Sequence, residues 1–171
     1  MIEIETERLV LRQVMPEQAE RLLRGETPPE LTLAEGYPAE FTVEAMDLLV
    51  GTRKMPGITA LFMVRRSDDA VIGDIGGVLE GGDTMTVGYD VASSAEGQGY
   101  ATEALRGFIG YLFTLPYVRR VQADTLKTHN ASRRVMEKAG MTFVREGTGE
   151  EGGVQVELVG YEILRPNEPT R

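Results

Sequence analysis

Residues 96–113 read "EGQGYATEALRGFIGYLF". Gly97 and Gly99 stand one residue apart, and the chain then runs straight into a helical pattern. Ala101, Ala104, Leu105, Phe108, Leu112 and Leu115 recur at helical spacing, which predicts a helix of about four turns closed by Pro116. The first turn of any helix carries unpaired N–H groups, and the aligned peptide dipoles add partial positive charge there. A loop without side chains lets an anion reach those amides directly. Gly97 and Gly99 remove obstruction, and Tyr100, Ala101 and Thr102 supply first-turn donors, a geometry that suits a pyrophosphate. A glycine turn that does nothing but start a helix reads the same way.

The flanking segments bound the fold. Upstream, "RLVLRQV" (8–14) alternates as a strand does, and Pro16 opens a short helix stopped by Gly25. Residues 26–42 read as loop, and "TVEAMDLLVG" reads as a second helix with Thr42 as its cap and Gly51 as its stop. Three strands follow at 58–66, 71–80 and 84–91, joined by tight turns into a meander; glycines in the second suggest a bulge. In the third, Met85, Val87, Tyr89 and Val91 share a face. Downstream come a strand at 119–126 and a helix at 131–139. A closing hairpin of 141–147 and 154–164 is separated by "TGEEGG". The strands on either side of the long helix can lie parallel, which predicts one domain over 1–171 of mixed α/β class. Its sheet is mostly antiparallel, with helices on both faces.

Composition excludes several classes of function. The chain has no cysteine, which removes disulfides and thiolate chemistry, and its one histidine, His129, argues against a metal site. A net charge of −9 disfavours a nucleic-acid partner and suits a cationic substrate, although solubility alone accounts for an acidic surface. The opening "MIEIETERLV" lacks the order of an export signal, and no apolar run approaches membrane-spanning length. The expectation is a cytoplasmic protein without a membrane partner; a homodimer stays open.

Among phosphate-binding loops, a dinucleotide fold needs G-x-G-x-x-G after a first strand, but Thr102 stands at the third glycine and the loop follows a meander. A nucleotide P-loop needs a Gly-Lys-Ser/Thr ending that is absent here. The pyrophosphate of coenzyme A is a third reading, beside a glycine turn that only starts the helix.

In these residues the sequence resembles the GCN5-related N-acetyltransferases (GNAT), and particularly the branch of ribosomal-protein N-terminal acetyltransferases. The family signature Gln/Arg-x-x-Gly-x-Gly/Ala is met by Gly99 and Ala101 in "EGQGYA", with Glu96 at the first position. "ETERLVLR", "VGYDV" and "ASRRVMEKAGM" resemble three further segments of that branch, in order. In the last of these, Ser132, Lys138 and Gly140 fit; His129 replaces the usual Asn, and Asn130 follows one place late. The resemblance implies an acetyl-CoA-dependent transferase acting on a primary amine without a metal, with its cofactor at a V-shaped opening between two central parallel strands. It implies that backbone amides of Gly97, Gln98, Gly99, Tyr100, Ala101 and Thr102 hold the pyrophosphate. Main chain around Tyr89 to Val91 should pair with the pantetheine arm, and Asn130 and Ser132 should lie near the thiol.

The chemistry needs a neutral amine, a polarised carbonyl and a proton for the leaving thiolate. Many family members supply that proton from a Tyr, but Met136 stands in its place; the resemblance to the ribosomal-protein branch, which implies Ser132 near the sulfur, makes Ser132 the expected donor, with a mere first-turn residue as the alternative. Asn130 is a natural N-cap. Asp90, Asp124, Glu150 and Glu151 are candidates for the base, and none is singled out. Arg133, Arg134 and Lys138 could meet a ribose phosphate or simply face water. Glu96, His129 and Met136 keep a non-catalytic acyl-CoA binder in play, and a longer acyl group is a further alternative.

Overall fold

The computed structural model describes residues 1–167. Nine strands and four helices follow one another as β1 (Glu3–Glu5), β2 (Leu9–Gln13), α1 (Pro16–Leu23), β3 (Thr32–Leu33), α2 (Thr42–Val50), β4 (Ile58–Arg65), β5 (Ala70–Glu80) and β6 (Thr84–Val91). After these come α3 (Tyr100–Leu112), β7 (Arg120–Leu126), α4 (Asn130–Lys138), β8 (Thr142–Glu151) and β9 (Val154–Leu164). They form one sheet in the order β1-β2-β4-β5-β6-β7-β9-β8, with β3 beside β5.

Alternation along each strand decides which helix meets which face. Leu9 and Leu11 are fully buried, and Leu11 lies under α3, next to where a side chain at Gly107 would project. Their register partners Arg65 and Met63 carry that face onto β4. The opposite face carries Phe62 and its partner Asp74, which Thr42 of α2 and Tyr37 reach. The antiparallel pairing of β5 with β6 continues both faces, placing Asp90 beside Asp74 and Tyr89 beside Ile75. Thus α2 covers one side, α3 and α4 the other, as the sequence predicts. A carbon added at Gly107 would come within 2.7 Å of Thr6, so glycine there lets α3 lie close over the β1–β2 connection.

The parallel pair β6–β7 is short. Thr84, Met85 and Thr86 pair with Arg120, Val121 and Gln122, and pairing stops there. Beyond this point β6 keeps its ladder with β5 as far as Val91, and β7 keeps its ladder with β9 as far as Leu126. The two strands therefore part, leaving the expected opening.

Four sequence expectations need correction. Thr42 is the first residue of α2, not its cap; its hydroxyl is buried, accepting from the Ala39 amide and donating to Asp74. The segment 148–153 is not a broad turn, because β8 runs to Glu151 and only Gly152 and Gly153 turn the chain, both at positive φ. The long helix ends at Leu112, short of Leu115, and residues 113–115 turn before Pro116. Strand β1 and the two-residue β3 are additions: Ile4 is the lone apolar residue of "EIE", too little for a period. The bulge suggested by the glycines of β5 is present. Met63 and Val64 pair with Gly73 and Val71, leaving Ile72 without a partner.

Candidate active site

The glycine loop sits at the mouth of the opening. Gly97 and Gly99 have φ of 72° and 82°, the left-handed region where a side chain is strained. A carbon added at Gly97 would meet nothing within 4 Å, and one at Gly99 only the Arg8 guanidinium at 3.3 Å. Among the described residues the N–H groups of 97–102 meet no acceptor. The first helical bond of this region comes from Glu103, whose amide donates to the Gly99 carbonyl at 3.0 Å.

Arg8 fixes the loop from the other side. Its Nη1 donates to the Gln98 carbonyl at 2.9 Å, its Nε donates to Glu103 at 2.7 Å, and its guanidinium lies 4.3 Å from the centre of the Tyr100 ring. Glu103 also accepts from the Thr6 hydroxyl and the Arg8 amide, both at 2.6 Å. Burial raises the Glu103 carboxyl, yet these bonds outweigh it and hold the group below its ordinary value. This clamp joins residues 95 apart, so nothing in the local pattern announces it.

A cavity of about 1200 Å³ runs from this loop through the gap between β6 and β7 to the α2 side of the sheet. Gly97, Gly99, Tyr100, Ala101 and Thr102 line it, as do Tyr89, Val91 and Ser132. Gln98 does not: its side chain turns back to the Ser94 carbonyl. Asn130 also lies outside the lining. It is exposed as the first residue of α4, while His129 occupies the cap position and makes no capping bond. The N-cap reading of Asn130 is therefore corrected; the helix starts one residue earlier than the cap pattern suggests.

Ser132 has a partner the sequence did not reveal. The Tyr89 hydroxyl lies 2.9 Å from Ser132 Oγ and 3.2 Å from the Ser132 carbonyl. Burial pushes the Tyr89 phenol up to about 12, despite the Ser132 bond that lowers it. Tyr89 thus stays protonated beside a serine that borders the cavity, donating to the Ser132 carbonyl and sharing a hydrogen bond with its hydroxyl. The alternation of β6 placed Tyr89 on this face; its meeting with α4 needed the tertiary fold.

The remaining charged candidates separate. Arg134 and Lys138 of α4 line the cavity near the glycine loop, whereas Arg133 turns to the Tyr161 hydroxyl and the Lys127 carbonyl. Asp124 lines the cavity but pairs with Arg145 at 2.6 Å. Glu150 and Glu151 line it at the β8–β9 hairpin. Asp90 accepts from the Phe41 and Val91 amides at 2.6 and 3.0 Å, and burial raises its carboxyl against those bonds. Asp74, which sequence reasoning passed over, is buried and lines the same cavity. Burial pushes it up to about 6, against bonds from Thr42 and Tyr37, and the charge of Asp90 adds to the rise. Its signal in the sequence was a carboxylate inside an otherwise apolar, glycine-rich strand. His129 Nδ1 is 3.3 Å from the Thr125 hydroxyl. No cluster able to hold a metal occurs among the described residues, nor any helix long and apolar enough to cross a membrane.

Comparison with known proteins agrees with this geometry. The family described as "Acetyltransferase (GNAT) domain" matches residues 8–142. The chain is 24% identical over 180 residues to the uncharacterized N-acetyltransferase YoaA of Bacillus subtilis, covering 96% of this chain and 98% of that one. In structure it is similar to a GNAT-family acetyltransferase from Bacillus anthracis, with a TM-score of 0.67 and 21% identity over 96% of this chain and 99% of the other. It is also similar to RimL, a ribosomal alpha-N-protein acetyltransferase in complex with coenzyme A. There the TM-score is 0.73 at 15% identity, over 98% of this chain and all (100%) of the other. The chain belongs to the GNAT acetyltransferase domain family, and it is an acyl-transferring enzyme.

Proposed function

We propose that the protein transfers an acetyl group from acetyl-CoA to a primary amine within a ternary complex. The observation that carries this reading is the row of unpaired amides at 97–102, held open by two glycines, in a loop whose residues other than Gln98 line the cavity where β6 and β7 part. These donors suit a pyrophosphate in charge. Arg134 and Lys138 add positive charge on the same side. The edge of β6 from Tyr89 to Val91, unpaired with β7, offers main-chain groups to a pantetheine arm, as an added strand would, apart from the Val91 amide that Asp90 holds. RimL carries coenzyme A on a similar fold, which supports the same ligand class here.

Acetyl-CoA supplies the activated thioester; the chain supplies alignment and proton traffic. The amine lone pair attacks the carbonyl carbon and forms the C–N bond, while the C–S bond breaks. The proton lost by nitrogen balances the proton gained by sulfur. Ser132 passes its hydroxyl proton to the thiolate and takes in its place the proton that the attacking nitrogen loses, and the Tyr89 hydroxyl, 2.9 Å from Ser132 Oγ, holds that oxygen in place. Asn130, exposed beside this site, takes no part in the proposed proton transfer.

Thermal shifts with acetyl-CoA, CoA and NAD test the ligand, and thiol release across an amine panel tests the transfer. Stabilisation by both CoA species but not NAD, with thiol release dependent on an amine, is the expected result. Stabilisation by NAD alone would end the reading. Stabilisation by CoA species with no thiol released for any amine would reduce the protein to a binder.

A further inference from the structure

The cavity has a second half, on the α2 side of the sheet, and its chemistry differs from the first. Register places Ala60 beside Gly76 and Gly76 beside Gly88, so three adjacent strands present almost no side chain there. A carbon added at Gly88 would meet no heavy atom within 4 Å. Ala45 and Leu48 of α2, with Ile58 of β4, border this hollow.

Two residues along the same strands, register places Asp74 beside Asp90. Both line the cavity, and neither has an ion-pair partner among the described residues. Asp74 is 5% exposed. Its Oδ2 accepts from the Tyr37 hydroxyl at 3.0 Å and the Thr42 hydroxyl at 2.6 Å, while Oδ1 accepts from no described residue. Adjacent carboxylates removed from water and unbalanced by a cation are costly, and a bound cation relieves that cost. The basic residues of the lining, Arg134 and Lys138, lie on α4, on the other side, where Glu96 of the glycine loop is the acidic exception; Glu150 and Glu151 also line the cavity. Glu44 and Asp124 line it too, but Arg53 and Arg145 answer them.

We infer that this half is the acceptor subsite and that it takes a primary amine carried on a compact apolar group. The ammonium docks at Asp74 and Asp90, and the apolar group fills the hollow over Ala60, Gly76 and Gly88. The inference rests on the acetyl-transfer reading above. One N–H proton of the docked ammonium passes to a carboxylate oxygen of the pair, which frees the nitrogen lone pair to attack. Gly88 sets specificity by leaving room; it takes no part in the chemistry.

The test measures thiol release from acetyl-CoA with 2-phenylethylamine, spermidine and a short peptide bearing a free N-terminus. The proteins are the wild type, Gly88→Ala, Gly88→Val and Asp90→Asn, with acetyl-CoA affinity measured by calorimetry for each. The wild type should prefer 2-phenylethylamine. Gly88→Val should raise its KM by about tenfold or more, Gly88→Ala by less, with acetyl-CoA affinity unchanged. Asp90→Asn should raise the amine KM by a larger factor than it weakens acetyl-CoA binding, since the Asp90 side chain also holds the Val91 amide. Preference for spermidine or the peptide, or a KM indifferent to Gly88→Val in a protein that still binds acetyl-CoA, overturns the acceptor assignment alone. Failure of the wild type to bind acetyl-CoA overturns the parent reading and this inference with it.

Discussion

The hydroxyl of Tyr89, on the strand before the glycine loop, lies 2.9 Å from the hydroxyl of Ser132, in the first turn of α4. The residues are 43 apart in sequence, and their meeting joins the free edge of β6 to the helix beyond the opening. If Ser132 passes the proton to the leaving thiolate, Ser132→Ala should lower kcat by about 10²-fold or more while leaving acetyl-CoA affinity nearly unchanged. Tyr89→Phe should lower kcat less, because it removes only the support. Equal kcat in Ser132→Ala and wild type would refute the role.

The bare loop makes a charge-specific prediction. Asp and Asn tolerate positive φ better than other side chains, so both can replace Gly97 at a similar backbone cost. Gly97→Asp sets a negative charge among the amides of 97–102, and it should weaken acetyl-CoA binding at least about tenfold more than Gly97→Asn does. Calorimetric titration of the two variants checks this. Matching affinities would mean that no anion sits there.

The Arg8 clamp should matter to both stability and binding. Arg8→Ala removes the bonds to Gln98 and Glu103 and the contact over Tyr100, leaving a largely buried Glu103 with one charged partner fewer. A loss of about 1–3 kcal/mol is expected, from hydrogen bonds to charged groups. Denaturant unfolding measures that loss, and acetyl-CoA affinity should fall in parallel as the loop loosens. Unchanged affinity would show that the loop holds its shape unaided.

Asp74 gives a pH prediction whose sign is fixed by its raised pKa. Burial puts the folded-state value at about 6, above the ordinary carboxyl range, so the native state holds this proton more tightly than the unfolded chain does. Its contribution favours folding at low pH and is lost as pH rises from about 4 to about 6, after which the cost stays constant. A shift of that size corresponds to roughly 3 kcal/mol at neutral pH. Asp74→Asn should therefore raise the unfolding free energy at pH 8 and lose its advantage toward pH 4. A stability difference independent of pH would contradict the burial argument.

Much of the frame could be read from the chain because its signals are local. Gly25 and Gly51 ended their helices, the meander showed period-two alternation, and the glycine pair marked the start of α3. What escaped was set by distant partners. Thr42 looked like a cap because its position relative to the apolar run fits one, but Asp74 from β5 claims its hydroxyl. Asn130 looked like a cap for the same reason, and α4 begins on it instead. The Arg8 clamp on the Gln98 carbonyl, and the return of the Gln98 side chain to Ser94, also went unseen, and neither contact involves the Gln98 amide. Asp74 showed only as a carboxylate in an apolar, glycine-rich strand, and its place beside Asp90 is set by strand pairing alone.

The central claim is that the amides of residues 97–102 grip the diphosphate of acetyl-CoA, and nitrogen–proton correlation spectra of the intact protein test it most directly. Titration with acetyl-CoA should move these resonances saturably and more than those of the β8–β9 hairpin. Saturable binding that shifts other amides and leaves this set in place would contradict the account.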